Sequence, residues 1–459
     1  MEKVLNYIEN NYENFISELK DFLRLQSISS SPFHVGEVKK TAEYLKSHLI
    51  SIGLKNTEII TTEKHPLVYS EWLCAPGKPT ILFYGHYDVQ PPEPLELWHS
   101  EPFDPIIKDN KIWARGATDD KGQLFTHLKA LESFMKTKGS LPVNIKIILE
   151  GEEEVVSESL EKFLEDNYEK LKCDAIVISD TSMYAPGEPA ITYGLRGLCY
   201  MQIDLEGPTR DLHSGTFGGA VDNPINVLAH IIAKLKDEDG RVLIPGFYDD
   251  VIEVTDEERN NFKKLKITEK DIIAETGVPK CKPSENRDIY EAMTSRPTLD
   301  CNGIWGGYQG EGAKTIIPSK AGAKISMRLV ANQNPKKIAK LFTKYVKSIA
   351  PKTVKIKVSE LHGGMPSLVS IDNKYMKIAK DSLKFAFKKD TKFIKEGGSI
   401  PVVTTLQKKL KAPALLMGFG LDSENLHSPN EHFSLDSFKK GIIAISKFVF
   451  EVGNSNGKK

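Results

Sequence analysis

Pro79-Thr-Ile-Leu-Phe-Tyr84, closed by Gly85, is a short and nearly continuous apolar run. A strand covered on both faces needs such a run, whereas a strand with one wet face alternates. Outward from it, two more strands are predicted, Val143-Asn-Ile-Lys-Ile-Ile-Leu149 and Ala175-Ile-Val-Ile178. Between the three the periodicity turns helical. Asp119 to Lys136 carries Leu124, Leu128, Leu131 and Phe134 on one side, and Glu158 to Leu171 continues in the same style. This β–α–β–α–β alternation predicts an α/β fold with a mostly parallel sheet.

Helical spacing also covers residues 3–24 and about 36–52 at the amino-terminal side. Beyond 195 the style changes. Arg196–Glu206 and Ala321–Val330 alternate in polarity, which suits an antiparallel sheet, with helices near 224–236 and 335–349. Residues 250–300 are highly charged and give no clear period. From 362 the first style returns, with a helix near 373–388, a strand at Pro413–Met417 and a helix near 434–452. The organisation expected is a discontinuous main domain, 1–194 and 362–459, with a smaller α+β domain inserted at 195–361.

Lys+Arg and Asp+Glu are both 62, so there is no basic excess of the kind nucleic-acid binders carry. A hydrophobic content of 40% argues against a disordered chain. No apolar run approaches the roughly 18 residues that span a bilayer. The start, MEKVLNYIENNYENF, lacks the pattern of a secretory signal. Five widely spaced cysteines without a C-x-x-C read as reduced packing residues. The expectation is a cytoplasmic protein with neither nucleic acid nor membrane as partner.

In open α/β sheets, ligands bind beyond the carboxyl ends of the strands. Gly85-His86-Tyr87-Asp88-Val89-Gln90 follows the first strand. His86 there can offer a ring nitrogen to a metal, and Asp88 can accept from the other nitrogen. Gly116-Ala-Thr-Asp-Asp-Lys-Gly122 can present one carboxylate to a cation while its neighbour faces away, although an Asp at a helix start is ordinarily a cap. Glu150-Gly-Glu-Glu-Glu154 places four carboxylates in five residues at the end of a buried strand, which makes sense only beside a cation. Two neighbouring Glu could then divide the work, one holding metal and one taking a proton from activated water. Asp180 follows the third strand, and His427 sits in Leu-His-Ser-Pro-Asn-Glu431. Imidazoles and carboxylates without thiolate suit a pair of divalent ions, with zinc first and manganese or cobalt as alternatives.

The set GHYDVQ, GATDDKG, EGEEE, ISD, RDLHSGTFGG and LHSPNE, in this order from 85 to 431, resembles the M20 family of metallopeptidases. Carnosinase-type dipeptidases, glutamate carboxypeptidases, aminoacylases and succinyl-diaminopimelate desuccinylases belong to it. GAKTIIPSKAGAKISMRLV (312–330) and EGGSIPVV (396–403) resemble the dipeptidase branch. The resemblance implies a zinc-peptidase-like catalytic domain holding two metal ions per subunit, and an inserted lid and dimerisation domain. His86, Asp119, Glu154, Asp180 and His427 would be the metal ligands, with Asp119 bridging. Asp88 would orient His86, and the peptide bond after Asp119 would be cis. Glu153 would be the general base, and His213 would stabilise the reacting carbonyl from the other subunit of a homodimer. Arg328, Gly398 and Ser399 would hold the substrate's carboxyl end. The implied reaction is hydrolysis of the amide bond of dipeptides or of the carboxy-terminal residue of small peptides, by metal-activated water. An N-acyl amino acid deacylase or desuccinylase would use the same chemistry with a different pocket. A metal-binding protein without catalysis is a remote alternative, and the presence of Glu153 argues against it.

Overall fold

The computed structural model describes residues 1–155, 157–398 and 400–455. The chain forms two compact units. The first comprises 1–193, 369–394 and 402–459, and the second 194–368 with 395–401. Residues 362–368 and 395–401 thus group with the second unit, although the change of sequence style at 362 points the other way.

The first unit is built on a sheet whose strands run, edge inward, Lys55–Ile60, Leu67–Trp72, Asn144–Glu150, Thr80–His86, Ala175–Ile178, Ala414–Leu416 and Ala190–Leu195. The four from Asn144–Glu150 to Ala414–Leu416 are parallel to one another. They are also the apolar runs legible in the sequence, and nearly every residue in them is buried. Antiparallel strands flank this centre, so the sheet is mixed. Register sets where the strand ends lie. Thr80 to His86 pair with Asn144 to Glu150 residue for residue, so His86 lies beside Glu150, and Tyr84 lies beside Ile178. The first two strands therefore finish level and the third ends two residues short, so that Asp180, just beyond it, comes near His86.

The helix Lys121–Lys138 packs on the strand Thr80–His86 and is buried through most of its length. The helices Glu2–Leu23 and Leu435–Asn454 pack against it in turn. Val4, Ile8, Phe15, Leu19 and Phe22 recur at helical spacing and point into this core. Lys121 Nζ, buried beneath the ring of Phe22, donates to the carbonyls of Leu25 (2.6 Å) and Phe22 (3.4 Å) at the end of the first helix. The region 158–171 is two helices, Glu158–Asp166 and Tyr168–Leu171, separated at Asn167. The last helix runs to Asn454, slightly past the end near 452 that periodicity indicates.

The second unit has an antiparallel sheet ordered Thr298–Gly306, Lys320–Leu329, Gly197–Glu206 and Lys355–Gly364. Along Gly197–Glu206, buried and half-exposed residues alternate, as one wet face requires. The helices Pro224–Ala233 and Pro335–Ile349 cover the other face with Val227, Leu228, Ile231, Ile338, Phe342 and Val346. The charged 250–300 stretch holds three short helices before the edge strand. Where the chain leaves the first unit and returns, Val369 N donates to Tyr193 O at 2.8 Å. All five cysteines are free; Cys74 and Cys301 are exposed, so packing describes only the buried Cys199 well. Among the described residues, no helix is long and apolar enough to cross a membrane.

Candidate metal centre

His86 ends its strand fully buried. Its Nδ1 lies 3.1 Å from the backbone O of Asp88 and 3.4 Å from Asp88 Oδ1. The Asp88 carboxylate has a second task, accepting from the amides of Glu153 (3.2 Å) and Glu154 (3.1 Å). It thereby joins the turn after one strand to the turn after the next. With Nδ1 engaged, Nε2 faces Asp119 Oδ1 at 3.1 Å and Asp180 Oδ2 at 3.9 Å.

Asp119 lies in a tight loop before the helix Lys121–Lys138. Gly122 is essential to this approach, because a Cβ there would come 1.9 Å from Ala117 O. The Asp119–Asp120 peptide bond is cis. Asp120 turns away from the cluster, its Oδ2 accepting from the His86 amide at 3.3 Å. The two oxygens of Asp119 are divided. Oδ1 faces His86, and Oδ2 lies 2.9 Å from His427 Nε2. His427 is also 3.5 Å from Glu154 Oε2. Two groups result, His86/Asp119/Asp180 and Asp119/Glu154/His427, each with its potential ligand atoms within 4.8 Å of one another. Asp119 belongs to both.

The four glutamates after the strand Asn144–Glu150 differ in what holds them. Glu150 accepts from Tyr84 Oη (2.5 Å) and Ser157 Oγ (3.0 Å). Glu152 accepts from His65 N (2.8 Å), Ser159 N (3.0 Å) and Ser159 Oγ (2.8 Å). Both side chains are tied down and fully buried. Glu154 accepts from Gln90 Nε2 at 2.6 Å through Oε2, while its buried Oε1 has no hydrogen bond.

The electrostatics follow from carboxylates and imidazoles crowded together, buried at His86 and Asp119 and open at His427, whose side chain is 56% exposed. Burial pushes the Glu153 carboxyl up to about 7, with His86 opposing and Asp119 and Asp88 adding to the rise. Burial likewise drives Glu154 and Asp180 well above the ordinary carboxylate range. Burial alone would raise Asp119 too, but bonds from His427 and His86 hold it below that range. Asp119 lifts His427 to about 9. Carboxylates this close remain charged together only beside positive charge. Glu154 Oε1 is buried without a hydrogen bond, and His86 Nε2 is directed at the carboxylates of Asp119 and Asp180. A nitrogen and oxygen donor set without thiolate, with one carboxylate shared, fits a pair of divalent ions.

The remaining sequence-predicted residues belong to the second unit. His213 is exposed and pairs with Ile316 in a two-stranded ribbon. Arg328 lies half-buried on the strand Lys320–Leu329, opposite Leu198 and Thr298. Gly398 is exposed, with open space where a Cβ would stand. Ser399 lies outside the described residues.

Sequence reasoning gave no part to several polar residues that hold the site's loops. Gln123 Oε1 accepts from Phe419 N (2.6 Å) and Gly420 N (3.0 Å), and its Nε2 donates to Thr118 O (3.1 Å). The buried Glu424 accepts from Thr118 Oγ1 (3.0 Å), Leu421 N (3.0 Å) and Ser434 N (2.9 Å). The available signal was polar residues inside stretches that the structure buries. Gln123 sits next to a glycine of one motif, and Glu424 lies three residues before His427.

Comparison with known proteins agrees with this geometry. The model for peptidase family M20/M25/M40 matches residues 82–451. The Cys-Gly metallodipeptidase of Schizosaccharomyces pombe is 33% identical over 99% of this chain and 98% of its own. The human Beta-Ala-His dipeptidase is 30% identical over 98% of this chain and 92% of its own. Among solved structures, an M20 family metallo-carboxypeptidase from Sulfolobus solfataricus superposes with a TM-score of 0.87 at 35% identity, covering 96% of this chain and 99% of that one. Matched by the family model through most of its length and by these relatives from end to end, the chain belongs to peptidase family M20/M25/M40.

Proposed function

We propose that this peptidase is a dinuclear metal-dependent dipeptidase. The observation that carries the reading is the division of Asp119, one oxygen toward His86 and the other toward His427. His86, Asp119 and Asp180 would hold one ion, and Asp119, Glu154 and His427 the other. Two divalent ions, zinc foremost, would supply Lewis acidity, polarising the scissile carbonyl and acidifying the attacking water. Glu153, whose carboxylate no protein group hydrogen-bonds among the described residues, takes the water's proton. As the C–N bond breaks, Glu153 returns that proton to the amine nitrogen, leaving a carboxylate and a free amine. Asp88 keeps His86 and the Glu153–Glu154 turn in place.

The second unit acts as lid and dimerisation surface. Its His213 stabilises the reacting carbonyl oxygen in the partner subunit of a homodimer. Arg328, Gly398 and Ser399 hold the substrate carboxylate, for which a guanidinium is the natural fork. Relatives named for Cys-Gly and Beta-Ala-His support unblocked dipeptides as the substrate class. Five free cysteines support a reducing, cytoplasmic setting.

The test is a panel of dipeptides, their carboxy-amides, and N-acetyl and N-succinyl amino acids. Each is assayed after chelation and again after zinc, manganese or cobalt is restored. Free dipeptides should be cleaved only with metal present, and the amides poorly. Full activity in metal-free protein would remove the reading, and preference for N-acyl substrates would replace dipeptidase by deacylase.

A further inference from the structure

Glu431 closes the LHSPNE motif, and nothing in the proposed chemistry uses it. It is completely buried. Its Oε1 accepts from the amides of Thr118 (2.9 Å) and Asp119 (3.0 Å). Its Oε2 accepts from the amide of Gly116 (2.8 Å) and from Arg115 Nη1 (2.7 Å). Four donors fill the acceptor capacity of one carboxylate, so Glu431 has no lone pair left for a metal. Arg115 is itself buried, donates through Nη2 to Pro91 O at 3.1 Å and lies over the ring of Trp98. The buried charge is therefore paired, as burial demands.

The same residue stands at the end of the loop that carries His427. Asn425, His427 and Asn430 all take positive φ, at 61°, 58° and 64°, a conformation uncommon outside glycine that Asn and His tolerate best. Glu424 fixes one end of this loop through Thr118, Leu421 and Ser434. Asn430 fastens the other by accepting from His99 N (2.7 Å) and donating to Leu97 O (2.8 Å). Glu431 then ties it to the backbone of Asp119 itself.

We propose that Glu431, charge-paired with Arg115, is a positioning residue that sets the spacing between the shared ligand Asp119 and the loop of His427. It couples the two halves of the metal centre. This rests on the dinuclear metal reading of the site. Partners that orient ligands typically contribute 10–100-fold to metal affinity. The Asp119/Glu154/His427 group depends on Glu431 through two of its members, and the His86/Asp119/Asp180 group through one. Loss should therefore fall mainly on the first of these.

The experiment titrates metal-free wild type and Glu431→Gln with zinc by calorimetry, and with cobalt by visible absorption. Glu431→Gln keeps the shape but turns one acceptor into a donor facing amide hydrogens. Glu431→Asp keeps the charge with shorter reach and serves if the first variant does not fold. Glu291→Gln, at a buried carboxylate of the second unit paired with Arg259 and Arg287, is the control for plain destabilisation. The expected result is at least about tenfold weaker binding of one metal equivalent and an altered cobalt spectrum, with neither in the control. Affinity and spectrum equal to wild type in the Glu431 variants, even with a lowered melting temperature, would overturn the proposal. Wild type that binds neither zinc nor cobalt would overturn the metal reading and this proposal with it.

Discussion

Glu153 and Glu154 are neighbours in the chain and differ in what surrounds their carboxylates. Glu154 is fixed by Gln90 and faces His427, while Glu153 lies in the cluster without a protein partner among the described residues. The sequence placed four glutamates together without ranking them. The ranking rested on the resemblance to M20 peptidases; the structure ties down Glu150 and Glu152 through hydrogen bonds, which leaves Glu153 and Glu154 as the pair to divide. Glu153→Gln should therefore lower turnover by at least about a hundredfold, the low end for a general base, and keep both metals. Metal content and kcat measured on the same preparation check this. If Glu153→Gln loses metal while Glu154→Gln keeps both metals and its activity, the roles are the reverse. Positive φ at His427 could not be read beforehand, because Leu-His-Ser-Pro carries no glycine to announce a left-handed turn.

Elements were legible in proportion to their burial. The strands at 80, 144, 175 and 414 stood out because both faces are covered, and the neighbouring ends of the first three follow from their register. The strand Lys55–Ile60 did not stand out. It is an edge strand with no fully buried residue, so its composition reports solvent rather than a core. Within the charged 250–300 region, the helix Glu269–Thr276 was hidden for the same reason, since it buries nothing completely. The helix after Asp119 begins two residues later than periodicity suggested, because Asp119 and Asp120 belong to the metal loop. Two helices carry a pH dependence into the fold. Burial lowers His48, in Val35–Ile52, and His127, in Lys121–Lys138, to about 3 from an ordinary 6.5. The unfolded chain then binds protons that the folded chain refuses, so stability is full above about 6.5 and falls as pH drops toward 3. Melting temperatures should therefore fall less steeply in His48→Leu than in wild type as pH drops from about 6.5 toward 3. An unchanged slope in the variant would show that His48 does not contribute.

At the scale of the whole molecule, the proposed trans role of His213 makes a quantitative demand. Glu153→Gln and His213→Ala are each expected to be inactive. Mixed as dissociated subunits and reassembled, they would give about half mixed dimers, each with one complete site, so about a quarter of all sites should recover. No recovery, with mixed dimers shown to have formed, would place His213 in the site of its own subunit. The hydrogen bond from Val369 to Tyr193 bears on a different matter. The long excursion from 194 to 368 leaves and re-enters the first unit at adjacent points, so a short linker could join those ends at the cost of the last two residues of the strand Ala190–Leu195. All six residues assigned to metal and proton chemistry would remain, whereas His213 and Arg328 would leave with the excursion. On the proposed assignments, such a trimmed chain would separate the module that captures metal from the cassette that chooses what is cut. Exchanging that cassette is then a route by which one chemistry acquires new substrates without rebuilding its centre.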